Sequence, residues 1–194
     1  MKRTFLLSMI FCLSLLVSLN AFAMEFSADV VNKAGGKVVT SKIFIKNNKF
    51  RMENRESGVI NIVRQDLKKS WMIMPGQKTY MEVKIDPSVL PREKMQGELD
   101  RKFIGQETID GHPCKKYMVT YSQGKSIQKS YQWVATDINF PIKTAALDGS
   151  WSMEYKNIRM GPQADSQFEP PAGYQKMTMP AMPGGFKGMM PGRR

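Results

Sequence analysis

Residues 42–54 read KIFIKNNKFRMEN, and this stretch decides the fold. Ile43 and Ile45 alternate with Lys42, Phe44 and Lys46. A period of two separates side chains onto two faces only in an extended strand. Asn47-Asn48 comes next, and asparagine tolerates the positive φ of a tight hairpin turn. Phe50 to Asn54 then alternates again, so the unit is strand, short turn, antiparallel strand.

The same unit repeats outward in both directions. Upstream, Phe26, Ala28 and Val30 alternate with Ser27 and Asp29, and Ala34-Gly35-Gly36 turns the chain into Val38 to Ile45. Downstream, turns at Ser57-Gly58, Gln65 to Lys69 and Pro75-Gly76 separate Val59–Arg64, Trp71–Met74 and Thr79–Ile85. The rhythm resumes at Phe103 to Ile109 and continues through Lys115–Tyr121, Ile127–Val134, Pro141–Leu147 and Trp151–Met160, with Asp110-Gly111 and Asp148-Gly149 as hairpin signals. The segments predict a mainly β chain: a single curved antiparallel sheet, an open half-barrel of about ten or eleven strands. One interval breaks the pattern. Asp86 can cap a helical turn at Pro87, and Met95 and Leu99 are four apart. A short covering helix is expected between Pro87 and Lys102, weakened by Gly97.

The ends read differently. Lys2 and Arg3, the apolar run Phe5 to Leu19, and Ala21-Phe22-Ala23 have the pattern of a cleaved secretory signal over residues 1–23. The expectation is export to the periplasm, with the β domain over 24–176. Residues 177–194 are rich in methionine, glycine and proline without periodicity and are expected to be a disordered tail. Beyond the signal the only cysteine is Cys114, so no internal disulfide can form. The net charge is +12 over the whole chain; two of the positive charges belong to the expected signal, and the remaining excess is spread along the strands and suits a solvated surface or an anionic membrane surface. No nucleic-acid motif is present.

Catalytic chemistry has little to work with. His112 is the single histidine, too few for a multi-histidine metal site, and a Cys114–His112 nucleophile pair lacks a third group to orient it. No catalytic residue and no cofactor is expected, and the reading is of a protein that is not an enzyme. Met177, Met179 and Met182 are soft thioethers, a minor copper(I) candidate.

The large apolar side chains either fill the core or line a groove. Met52, Met72, Met74, Met81, Met118 and Met153 fall in strands, and methionine adapts to irregular ligands. The groove reading takes Ile43, Ile45, Phe50, Met52, Trp71, Ile73, Met95, Leu99, Tyr117, Val119, Tyr131, Trp133, Trp151, Met153 and Tyr155 as lining on the concave face of the sheet.

Several short motifs occur in a telling order: Phe26-Ser27-Ala28-Asp29, Lys49-Phe50-Arg51-Met52-Glu53, the Asp66-to-Trp71 turn with Pro75 and Tyr80, Gly105-Gln106-Glu107-Thr108-Ile109-Asp110-Gly111, and Phe168-Glu169-Pro170-Pro171-Ala172-Gly173-Tyr174. Across residues 25–175 this resembles the LolA-like superfamily of periplasmic lipoprotein carriers. The resemblance implies an unclosed antiparallel barrel, helices plugging an apolar cavity, and lipid or lipoprotein acyl chains as partners. The arginine-proline pair of the carriers is replaced by Ile45-Lys46-Asn47-Asn48, so no gating role passes to Arg51. The function expected is a non-enzymatic periplasmic carrier or binder of an apolar ligand. The alternative is an envelope interaction module with a filled core.

Overall fold

The computed structural model describes residues 24–83 and 94–178. Twelve strands form one sheet. They are β1 (Glu25–Ala34), β2 (Lys37–Lys46), β3 (Lys49–Asn54), β4 (Ile60–Arg64), β5 (Lys69–Met74), β6 (Thr79–Val83), β7 (Glu98–Ile109), β8 (His112–Gln123), β9 (Ser126–Ala135), β10 (Phe140–Ala146), β11 (Trp151–Met160) and β12 (Gln175–Met177). Two short 3-10 turns, Pro75–Gln77 and Asp165–Phe168, are the only helical elements among the described residues.

The spatial order is β12-β6-β5-β4-β3-β2-β1-β11-β10-β9-β8-β7. The chain meanders from β1 to β6, resumes at the far edge with β7, and meanders back until β11 pairs with β1. The sheet is mixed and unclosed: β12 joins β6 in parallel, and β7 and β12 are the two edges. The hairpin chemistry behaves as the sequence dictates at Asp110-Gly111. Both residues have positive φ, 49° and 83°, the geometry whose twist matches paired strands.

The core sits where the two meanders meet. Phe26, Ala28 and Val30 of β1 are buried at alternate positions beside Ile43 and Ile45 of β2. Phe140 stands edge-on to both Phe26 and Tyr155, with ring centroids 5.0 Å and 5.2 Å away. Each such burial stabilises the fold by about 1.5–3 kcal/mol.

Two expectations need correction. Residues 98–102 belong to strand β7, so no helix runs to Lys102 and Met95 and Leu99 share no helix face. Gly97 explains the change: its carbonyl accepts from the Ser122 amide at 2.8 Å, its φ is +71°, and a Cβ there would lie 2.6 Å from the Ser122 carbonyl oxygen. It is the bend that admits the chain to the sheet. The remainder of that interval, 84–93, lies outside the described residues. Met177, expected to open the tail, instead ends β12. The signal expected over 1–23 and tail residues 179–194 lie outside the described residues.

Candidate functional site

Register decides which apolar side chains share a face. Ile43, Met52, Asn61, Met72 and Met81 are successive partners across β2 to β6, and Ile45, Phe50, Val63, Ser70 and Val83 form the row beside them. On the other side of the central strand, Val30 pairs with Tyr155, Thr144 pairs with both Met153 and Gln132, and Gln132 and Ser130 oppose Tyr117 and Val119. These residues make one continuous face, called here the methionine face. It carries Ile43, Ile45, Phe50, Met52, Tyr117, Val119, Trp151, Met153 and Tyr155 from the expected lining.

Trp71, Ile73, Tyr131 and Trp133 lie on the opposite face. Trp71 pairs with Ile62 and Ile73 with Tyr80, while Tyr131 and Trp133 oppose Met118 and Lys116. Leu99 falls at a bulge between Glu98 and Asp100 and is 61% exposed. Met95 lies over the methionine face, where Ser130 Oγ donates to its Sδ at 3.6 Å. Met72, Met74, Met81 and Val83, which the lining had omitted, belong to the face. Their signal was the methionine content of the strands, obscured because Trp71 and Ile73 alternate with equally apolar Met72 and Met74.

The methionine face is unevenly filled. Phe26 of β1, Ile43 of β2 and Val119 of β8 have no exposure, and burial pushes the Tyr155 phenol of β11 above its ordinary value, while Tyr117, Trp151 and Met153 are half-buried. Over β3 to β6, Val63 and Ser70 are buried, while Phe50, Met52, Met72, Met74, Met81 and Val83 are only half-buried.

The reverse of those same strands is sealed. The chain after β11 crosses it, and Phe168 inserts with no exposure among Ile62, Trp71 and Ile73, with Phe44, Ile60, Tyr80 and Tyr174 at the margin. Polar groups fix this strap on both sides of the ring. Lys46 Nζ donates to the Gln163 carbonyl and Arg51 Nη1 to the Gln167 carbonyl, each at 2.9 Å. Lys49 Nζ reaches Asp165 Oδ1 at 2.5 Å, and Lys46 Nζ lies 3.3 Å from the same atom. Lys49 first and then Lys46 hold the Asp165 carboxyl below its usual range. Arg64, 8% exposed, pairs with Asp66 at 2.7 Å and with Glu169. Its hydrogen bond lowers Asp66.

The opposite face of the second meander carries a charged ladder. Lys116, Trp133, Lys143 and Glu154 are successive partners across β8 to β11. Lys116 Nζ is 4.7 Å from the Trp133 and Tyr131 ring centres, and Lys143 Nζ is 5.2 Å from that of Trp133. Trp133 Nε1 donates to Glu107, which, followed by Lys116 and Lys143, lowers that carboxyl. Trp133 is therefore buried under lysine stems and is no part of a common groove with Tyr117.

The Cys114–His112 pair is not assembled. Cys114 Sγ donates to the His112 carbonyl at 3.3 Å, and the His112 ring instead has Nδ1 2.7 Å from Asp137 Oδ2. Burial pushes the Cys114 thiol up, away from the thiolate a nucleophile needs. A cavity of about 430 Å³ opens beside it, between Glu107, Lys115 and Thr136. Among the described residues, no group of three or more His, Cys, Asp or Glu side chains is placed to hold a metal.

The family profile described as "Domain of unknown function (DUF4412)" matches residues 24–139. No curated protein matches the chain in sequence. Its structure is similar to an uncharacterized conserved protein from Thermus thermophilus, with 12% identity, 80% of this chain and 91% of that one covered, and a TM-score of 0.59. It is also similar to MucB, with 15% identity, 77% and 58% coverage and a TM-score of 0.53. The MucA/MucB complex of Pseudomonas aeruginosa gives 14% identity, 80% and 58% coverage and a TM-score of 0.54. The chain thus spans 58% of the MucB chains it matches. What is shared at these identities is the fold.

Proposed function

The chain belongs to the DUF4412 family, and from that premise we propose that it is a non-enzymatic periplasmic binder of apolar ligands, taking lipid or lipoprotein acyl chains on the methionine face. The observation that carries this reading is the asymmetry of β3 to β6. One face is closed by Phe168 and a clamp of four cationic side chains, while the other presents half-buried Phe50, Met52, Met72, Met74 and Met81. Flexible thioethers suit an irregular hydrocarbon chain, and each CH₂ that leaves water contributes about 0.8 kcal/mol. A surface of net positive charge draws anionic head groups toward the site.

Titration of the purified protein with a fluorescent fatty acid and with a lipopeptide, alongside native mass spectrometry of protein exported from cells, tests the proposal. Saturable binding of one probe, or a co-purifying lipid, is expected. A protein that emerges ligand-free and binds neither probe rules the proposal out.

A second reading has its own support. The β7 edge carries exposed Leu99, Phe103 and Ile104, and the similar MucB structures include one solved with MucA. On that reading the chain is an envelope interaction module that engages another protein along β7. Substituting Phe103 and Ile104 with lysine would abolish partner capture while leaving acyl binding intact.

A further inference from the structure

Methionines that lie far apart in sequence meet at one corner of the sheet. Met72 of β5 is the register partner of Met81 of β6, and Met81 is the register partner of Met177 of β12. Register partners on neighbouring strands project from the same face, and in the antiparallel Met72–Met81 pair the Cβ atoms are about 4.5–5.5 Å apart. Met74 stands two residues along β5 on that face, diagonal to Met81. The parallel docking of only three residues, Gln175–Met177, brings the last sulfur into the row. Met177 is 43% exposed, so the row opens to solvent at its outer end. Beside Met74, its partner Thr79 has a buried Oγ1 with no hydrogen-bond partner among the described residues.

We propose that Met72, Met81 and Met177, with Met74 at their flank, form a thioether site for a soft monovalent cation of the copper(I) class. Three neutral sulfurs on flexible stems can converge above β6, because methionine has three rotatable side-chain bonds. Soft thioethers select copper(I) over the hard divalent cations that prefer carboxylate or carbonyl oxygen. The site belongs to the folded sheet edge, unlike a run of tail methionines acting alone. It assigns the methionine face a second ligand class and does not depend on acyl binding.

The test is anaerobic titration of the purified protein with copper(I) in competition with bicinchoninate, with silver(I)-induced shifts of the methionine methyl resonances as a second readout. One ion per chain is expected, with the methyl signals of Met72, Met81 and Met177 moving together. Met81→Leu is close to isosteric and keeps the fold; it is expected to weaken binding of the ion by about tenfold or more. Deleting residues 179–194 is expected to leave the ion bound. Failure to compete with bicinchoninate overturns the proposal. So does a Met81→Leu protein that binds like the parent, or loss of the ion on deleting 179–194 alone. Acyl binding is read separately in the same samples, so either reading can fail without the other.

Discussion

The two faces of strands β3 to β6 are built from the same residue classes and end in different states. On one, Ile62 and Ile73 are fully buried because Phe168 lies over them and the strap around it is tied down by Lys46, Lys49, Arg51 and Arg64. On the other, Phe50, Met52, Met72 and Met81 stay partly open. A sheet with two apolar faces needs two covers. The difference shows that the segment around Phe168 is a structural cover for one face, while the other has no such cover among the described residues.

The largest expected effect comes from removing the cover. Phe168→Ala should cost about 3–5 kcal/mol, read from urea denaturation, with Trp71 fluorescence shifting to the red as the ring loses its lid. An unchanged midpoint would mean that the strap is incidental. Next, Arg64→Met removes the charge shared between Asp66 and Glu169 and should cost about 1–3 kcal/mol, with faster amide exchange at Tyr174 and Gln175.

Acid acts on the same contacts. Asp165 and Asp66 are lowered in the fold by Lys49 and Arg64 respectively, so their stabilisation is complete above the ordinary aspartate value of about 3.9 and is lost as pH falls below it. Protection of the amides around 163–177, relative to their intrinsic exchange rates, should therefore fall below about pH 4 before that of the β1–β11 core. Simultaneous opening of strap and core would dissolve the distinction between them. On the methionine face, Met72→Leu should change stability by less than about 1.5 kcal/mol. Met72→Asp should weaken a fluorescent fatty acid by about tenfold or more, while Trp71→Phe on the sealed face should leave that affinity unchanged.

Much of this architecture was readable from alternation. The β1 pattern of Phe26, Ala28 and Val30 and the β2 pattern of Ile43 and Ile45 are the core as found, and the turn residues mark the hairpins. Alternation says which residues of one strand share a face; register between strands says which faces match. Trp71 and Met72 are neighbours of equal apolarity, so choosing tryptophan as lining placed the groove on the face that Phe168 fills. On β9, Tyr131 and Trp133, expected as lining, lie on the opposite face. Ser130 and Gln132 are buried, and Trp133 is covered from its own side by Lys116 and Lys143. The helix expected near Met95 and Leu99 came from a four-residue spacing that strand bulges can imitate. Register shifts at Glu98/Asp100 and Phe103/Gly105 break the period of two in just that stretch. The Phe168 plug left only a weak sequence signal, a lone aromatic before Pro170-Pro171.

The most direct test of the account is photocrosslinking with a diazirine-bearing fatty acid, with labelled residues mapped by mass spectrometry. The account predicts saturable labelling on the methionine face, at Phe50, Met52, Met72 or Met81. Labelling confined to Trp71, Ile73, Phe168 or Tyr174, or no labelling that an unlabelled fatty acid can displace, would contradict it.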